Sequence, residues 1–119
     1  MNKSSRGREG ETRAVEALEK KGMQILARNY RSRTGEIDII AREAETIVFV
    51  EVKTWTHYGL EDLGLGINEK KQRRIIETAK YFLLEHRKYN GMGIRFDVIF
   101  ISPRDETLIH LASAFMERV

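Results

Sequence analysis

The sequence predicts a single α/β domain that covers residues 1–119. Helix-like and strand-like patterns follow one another in the order helix, three strands, helix, two strands. A chain of 119 residues has the ordinary size of one domain, and it contains no internal repeat, low-complexity tract or linker. Its content of 41% hydrophobic and 33% charged residues is typical of a globular protein rather than a disordered one.

The first helix is predicted from about Gly7 to Lys21 and stops at Gly22. Glu11 lies one turn before the apolar stripe of this helix. That stripe consists of Ala14, Val15 and Leu18. Two interpretations of Glu11 stay open: its carboxylate points inward, or it simply favours the positive end of the helix dipole.

Three strands and a second helix follow, and two short strands complete the domain. The strands are predicted at Met23–Tyr30, Ile37–Ala41, Ile47–Lys53, Phe96–Ile101 and Leu108–Leu111. Asn68 is a plausible N-cap for the second helix, which continues to about Lys88. The segment 54–67 contains three glycines and is the longest irregular stretch, and long loops near strand ends often carry function.

The second and third strands form an antiparallel hairpin if Asp38 is placed opposite Glu51. Because side chains alternate along a strand, this register separates apolar from charged residues. The predicted apolar face carries Ile37, Ile39, Ala41, Val48, Val50 and Val52. The other face carries the opposed pairs Ile40–Phe49, Asp38–Glu51 and Glu36–Lys53.

This register gathers three carboxylates and one ammonium group within a small area. Like charges so close repel each other, and a divalent cation relieves the repulsion; hard carboxylate oxygens suit Mg²⁺ or Mn²⁺. Such a site supports phosphodiester hydrolysis, in which Lys53 orients the attacking water or stabilises the developing charge. The alternative is a structural one, in which Glu36–Lys53 is a surface pair and Asp38 and Glu51 are solvated.

The pattern Ile37-Asp38 … Glu51-Val52-Lys53 resembles the signature of the PD-(D/E)xK nuclease superfamily. More closely, the whole chain resembles the YraN-like family of small bacterial predicted endonucleases, which are related to archaeal Holliday junction resolvases. Matching segments occur in order along nearly the entire chain. They are Gly10-Glu11, Ala27–Arg31, Gly35–Ala41, Phe49–Lys53, Lys70 with the basic helix that follows, and Arg95–Val98.

The resemblance implies a restriction-endonuclease-like core, with a mixed central β-sheet flanked by helices. It implies that Asp38 and Glu51 are metal ligands, that Lys53 is the catalytic lysine and that Glu11 is a further acidic site residue. It also suggests that Gln72, on the inward face of the second helix, lies near the site. Ile37 stands where the signature has proline, a residue that shapes the backbone and does no chemistry.

Basic residues flank the predicted site in the sequence, where they could bind phosphates without reading the base sequence. The candidates are Arg28, Arg31, Arg33, Lys70, Lys71 and Arg74. Solvated surface charge is an equally good interpretation of any one cluster, and a net charge of +3 does not decide between the two. His57 is a candidate base or phosphate contact, although a lone loop histidine is more often solvated. Asp97 is expected to pair with Arg95 or another nearby basic residue in a structural role.

These observations lead to the hypothesis of a Mg²⁺-dependent endodeoxyribonuclease for branched or structured DNA, with a homodimer as one possible assembly. The alternatives are a nucleic-acid-binding module without catalysis and an interaction factor in a DNA-processing complex. The absence of cysteine excludes disulfides and zinc-thiolate sites. No apolar run approaches membrane-spanning length and the polar start at Met1–Glu11 does not resemble a signal peptide, so we expect a cytoplasmic protein without a membrane partner.

Overall fold

A computed structural model describes residues 5–54 and 67–117, with side chains from residue 8 onward. Two helices and five strands follow one another in the predicted order. They are α1 (Ser5–Lys20), β1 (Gln24–Ser32), β2 (Gly35–Glu43), β3 (Thr46–Thr54), α2 (Glu69–Glu85), β4 (Gly93–Ile101) and β5 (Leu108–Phe115), with a 3₁₀ turn at Arg87–Tyr89. None of the described helices is long and apolar enough to cross a membrane.

The five strands form one mixed sheet in the order β1-β2-β3-β4-β5. Neighbouring strands are antiparallel except β3 and β4, which run parallel because α2 carries the chain back across the sheet. The α/β class and the mixed sheet are therefore confirmed.

The two ends of α2 show how well its limits could be predicted. The side chain of Asn68 accepts a hydrogen bond from the backbone N–H of Lys71, which confirms the predicted N-cap. The helix ends at Glu85, three residues earlier than predicted, because the backbone of His86 leaves the helical conformation. β5 is four residues longer than predicted and continues to Phe115.

The helices cover opposite faces of the sheet. The α1 face buries a cluster that includes Ala14 and Leu18 of the helix against Ile39, Val50 and Ile99 of the strands. The α2 face buries a second, partly aromatic cluster against the other side chains of the same strands. That cluster includes Ile40, Phe49, Ile75, Ile76, Phe82 and Phe96.

One residue of the predicted apolar face lies on the wrong side. Ile37 packs in the α2 cluster with Ile40, whereas Ile39 packs in the α1 cluster, so the prediction that Ile37 shares a face with Ile39 is wrong. The regular alternation fails between them, beside the β1 residue Asn29, whose φ of 53° is left-handed and whose neighbours Arg28 and Tyr30 pair with Ile39 and Ile37.

A network of charged residues connects β4 and β5 at one edge of the sheet. Asp97 on β4 is fully buried and accepts hydrogen bonds from both Nε and an Nη of Arg95, from a ring nitrogen of His110 and from the backbone N–H of Ser113. Burial alone would raise the pKa of Asp97, but these donors lower it overall. The expected pairing of Asp97 with Arg95 is confirmed, and the hydrogen bonds from His110 and Ser113 tie β4 to β5.

We predict that Asp97→Asn lowers the free energy of unfolding at pH 7 by about 3 kcal/mol, because the buried donors of Arg95 and His110 lose their anionic acceptor. Urea denaturation followed by circular dichroism measures the loss. Glu106→Gln, at an exposed loop position, is the control and should unfold at the wild-type urea concentration. Equal stability of the two variants would contradict a structural role for the network.

Candidate active site

The acidic residues meet where β2 and β3 part. Backbone pairing of the two strands runs from Glu43–Thr46 to Ile39–Val50 and ends before Asp38. Beyond this point the backbone N–H of Val52 donates a 2.8 Å hydrogen bond to Oδ2 of Asp38 instead. A side chain thus takes the place of a main-chain acceptor, and the opening between the strands becomes a cleft.

This acidic cleft has a volume of about 510 Å³ and receives residues from both helices. α1 contributes one wall and α2 the other, with the ends of β2 and β3 between them. Its lining contains four carboxylates and two basic groups. They are Glu11, Glu36, Asp38 and Glu51, with Lys71 and Arg74.

Glu11 enters the cleft from α1. Its side chain is only 1% exposed and lies past the first helical turn, so the inward interpretation is confirmed rather than the one based on the helix dipole. Oε1 accepts a 3.1 Å hydrogen bond from Nδ2 of Asn29 and lies 3.8 Å from an Nη of Arg28. The left-handed residue of β1 therefore also orients this carboxylate.

Asp38 and Glu51 form the centre of the cleft and are 5% and 6% exposed. Burial removes water from Glu51, and the neighbouring Asp38 carboxylate repels a second negative charge. Together these effects raise the pKa of Glu51 to about 7, although its contact with Lys71 acts in the opposite direction. The observed strand register matches the predicted pairing at Ile40–Phe49, and it is this register that brings the two acids together.

Lys71 on α2 makes the closest charged contact with these acids. Its Nζ lies 2.5 Å from Oε2 of Glu51, while about half of the lysine side chain remains exposed to solvent. Burial alone would lower the pKa of Lys71, but the ion pair with Glu51 raises it. The residue predicted to bind a phosphate thus contacts a predicted metal ligand.

Lys53 and Glu36 are placed differently from the prediction. Pairing between β2 and β3 ends before these residues. Oε2 of Glu36 instead lies 3.0 Å from Nε of Arg31 on the neighbouring strand β1. The predicted Glu36–Lys53 pair is therefore wrong. Lys53 follows Glu51 on β3 and is partly buried, but it does not belong to the described residues that line the cleft.

The predicted phosphate-binding residues lie at different distances from the cleft. Arg74 lines the cleft, and Arg28 contacts Glu11 and the hydroxyl of Thr12 at its α1 side. Arg31 approaches through its contact with Glu36. Arg33 in the β1–β2 turn and Lys70 on α2 are exposed.

Gln72, a further predicted site residue, does not line the cleft in the described part of the chain. Gln72 donates a 2.9 Å hydrogen bond to the carbonyl oxygen of Ile67, and it lines a separate depression beside Glu117. His57 lies outside the described residues, as does most of the long loop that contains it.

The donor set fits a small, hard cation. In residues 5–54 and 67–117, no three histidine, aspartate or glutamate side chains are arranged to hold a metal. Asp38 and Glu51 provide two adjacent carboxylates, and Mg²⁺ commonly binds through one or two carboxylates while it keeps several waters. The pair therefore fits Mg²⁺ or Mn²⁺ better than a cation that requires many protein ligands.

Sequence patterns missed two residues that shape the cleft. The only sequence signal at Asn29 is that asparagine adopts a positive φ more readily than most residues do. Gly35 has a φ of +149°, and a side chain there would lie 3.4 Å from the hydroxyl of Thr78 on α2. The start of β2 therefore approaches α2 closely, and Arg74 lies beside this contact.

Comparison with known proteins gives a consistent family. The model of "Uncharacterised protein family UPF0102" matches residues 10–101. A UPF0102 protein of Treponema denticola is 50% identical, over 93% of this chain and 95% of its own length. UPF0102 proteins of Treponema pallidum and Persephonella marina are each 46% identical, over 92% of this chain and more than nine-tenths of their own.

We predict that Glu51→Gln stabilises the protein in the absence of divalent cations, and that the gain depends on pH. The folded-state pKa of about 7 exceeds the ordinary value of 4.5, so wild-type stability falls as the pH rises through this interval. The variant avoids that loss. Its advantage should be near zero at pH 4 and reach about 3 kcal/mol above pH 8.

Thermal and urea unfolding in EDTA across this pH range measure the difference. Glu45→Gln changes an exposed carboxylate in the β2–β3 turn and should show no comparable trend. An advantage of Glu51→Gln that stays constant with pH would contradict the raised pKa.

Proposed function

The chain belongs to the uncharacterised protein family UPF0102, and from this premise we propose that it is a metal-dependent nuclease. Its proposed reaction is the hydrolysis of phosphodiester bonds in branched or otherwise structured DNA. The observation that carries the proposal is the burial of Asp38 beside Glu51 at an open cleft, where their mutual repulsion favours a divalent cation.

Asp38 and Glu51 would hold Mg²⁺ or Mn²⁺. When bound, such an ion polarises the phosphate and lowers the pKa of a coordinated water. The hydrogen bond from the backbone N–H of Val52 fixes the direction of the Asp38 carboxylate, so less freedom is lost when the ligands are brought together. Glu11 adds negative charge from the facing helix, which attracts the cation into the cleft.

Lys53 is the proposed catalytic lysine, which would orient the attacking water or stabilise the developing negative charge. It lies on the same strand as Glu51, two residues further along. Its assignment rests on the resemblance to the superfamily signature, because the described cleft lining does not include it.

Basic side chains on both sides of the cleft support a nucleic-acid substrate. Arg28 lies on the α1 side, and Lys71 and Arg74 lie on the α2 side. A phosphate backbone that crosses the cleft would meet positive charge before and after the acidic centre. A cytoplasmic location is part of the proposal, and a homodimer would present two such clefts to a branched molecule.

A second candidate is a nucleic-acid-binding module without catalytic activity. The observation in its favour is the contact between Lys71 and Glu51, which already supplies the acidic pair with a positive charge. This candidate predicts salt-dependent binding of DNA that survives Asp38→Asn, without metal-dependent turnover in either protein.

We predict cleavage of a labelled four-way DNA junction by the wild type in Mg²⁺ or Mn²⁺, and none in EDTA. Asp38→Asn, Glu51→Gln and Lys53→Met should each reduce the single-turnover rate more than roughly a hundredfold, because the first two remove a proposed metal ligand and the third removes the proposed catalytic lysine. Glu45→Gln is the matched surface control and should cleave at the wild-type rate.

Linear duplex, single-stranded DNA and RNA of the same sequence, tested in parallel, define the substrate. Binding of the junction without cleavage of any of these nucleic acids, over a broad range of metal and pH, would favour the binding module and contradict the nuclease.

We also predict that the wild type binds Mg²⁺ at pH 8 and that Asp38→Asn binds it at least roughly tenfold more weakly, because one of two charged ligands is lost. Isothermal titration calorimetry measures both affinities. Equal affinities would place the metal elsewhere on the protein and contradict the ligand assignment.

A further inference from the structure

We infer that Lys71 is a positioning residue that neutralises Glu51 before a divalent cation binds and then yields this carboxylate to the cation. The inference rests on the proposed nuclease function, since it concerns the same acidic pair. The residues that match the superfamily signature lie on β2 and β3, whereas Lys71 lies on α2 and is not part of that signature.

The geometry of the contact carries the inference. Nζ of Lys71 lies 2.5 Å from Oε2 of Glu51, an oxygen that would also bind the metal. Glu51 is buried beside the Asp38 carboxylate, so a single ammonium group offsets part of the repulsion between two acids. A cation shared by Asp38 and Glu51 would perform the same function with twice the charge.

The two positive groups cannot hold the same oxygen at once without strong mutual repulsion, because both would lie within about 3 Å of it. The Lys71 side chain can move into solvent, because about half of it is already exposed and a lysine side chain has several rotatable bonds. Its backbone can stay in place, since its N–H is held by the side chain of Asn68 at the start of α2. Displacement therefore requires only a change of side-chain rotamer.

Competition makes a directional prediction for metal affinity. In Lys71→Met no ammonium has to be displaced, so the dissociation constant for Mg²⁺ should fall roughly three- to tenfold relative to the wild type. Lys71→Arg keeps a competing positive charge and should retain the wild-type constant. Lys20→Met removes an exposed positive charge at the end of α1 and is the control, also expected at the wild-type value.

Isothermal titration of MgCl₂ into the four proteins at pH 9.0 tests the inference, since this pH is well above the pKa of about 7 that Glu51 has in the wild type. Tighter binding by Lys71→Met alone supports it. A residue that merely held the cleft in shape would weaken metal binding when replaced, which is the opposite direction.

The outcomes separate the inference from the nuclease proposal. If the wild type binds Mg²⁺ and Lys71→Met binds it equally or more weakly, the role of Lys71 as a displaced counter-ion is wrong and the metal site stands. If the wild type binds neither Mg²⁺ nor Mn²⁺, the metal site is wrong, and the role of Lys71 falls with it.

Discussion

Two carboxylates that cannot both be charged without cost lie at the point where β2 and β3 separate. Water no longer solvates Asp38 and Glu51, so the protein must supply the compensation from its own groups. The backbone N–H of Val52 and the ammonium of Lys71 provide part of it. Glu11 of α1 and Lys71 at the start of α2 both lie beside this buried pair of carboxylates, at the opening between the strands.

A second buried acid of the same chain, Asp97, has enough hydrogen-bond donors to compensate for its burial. Asp97 is fully buried, yet its hydrogen-bond donors lower its pKa. Glu51 is almost as buried, and its pKa rises to about 7. The first arrangement joins two strands, whereas the second lines the acidic cleft. This contrast is the reason for assigning a structural role to one acid and a chemical role to the other.

Sequence patterns were sufficient for the element order and for the register of the β2–β3 hairpin, because a shift by one residue would have exchanged buried and exposed side chains. They left open whether Glu11 points inward, which the structure then decided. They failed at Ile37 and at the Glu36–Lys53 pair. Both predictions assumed that regular β2–β3 pairing continues beyond Ile39–Val50 to the open end of the hairpin. The sequence indicated Lys71 only as a phosphate-binding candidate, because helical periodicity contains no information on which strand residue a lysine reaches across the cleft.

The origin of the cleft residues along the chain has a consequence for how the molecule folds. A single antiparallel hairpin supplies Asp38 and Glu51, whereas Glu11 and Lys71 come from helices on either side of it. Hairpins are local structures and form early, when both acids are still hydrated. The cost of dehydrating them therefore arises when the helices dock, so the packing of α1 and α2 against the sheet carries an electrostatic cost that the hairpin alone does not have.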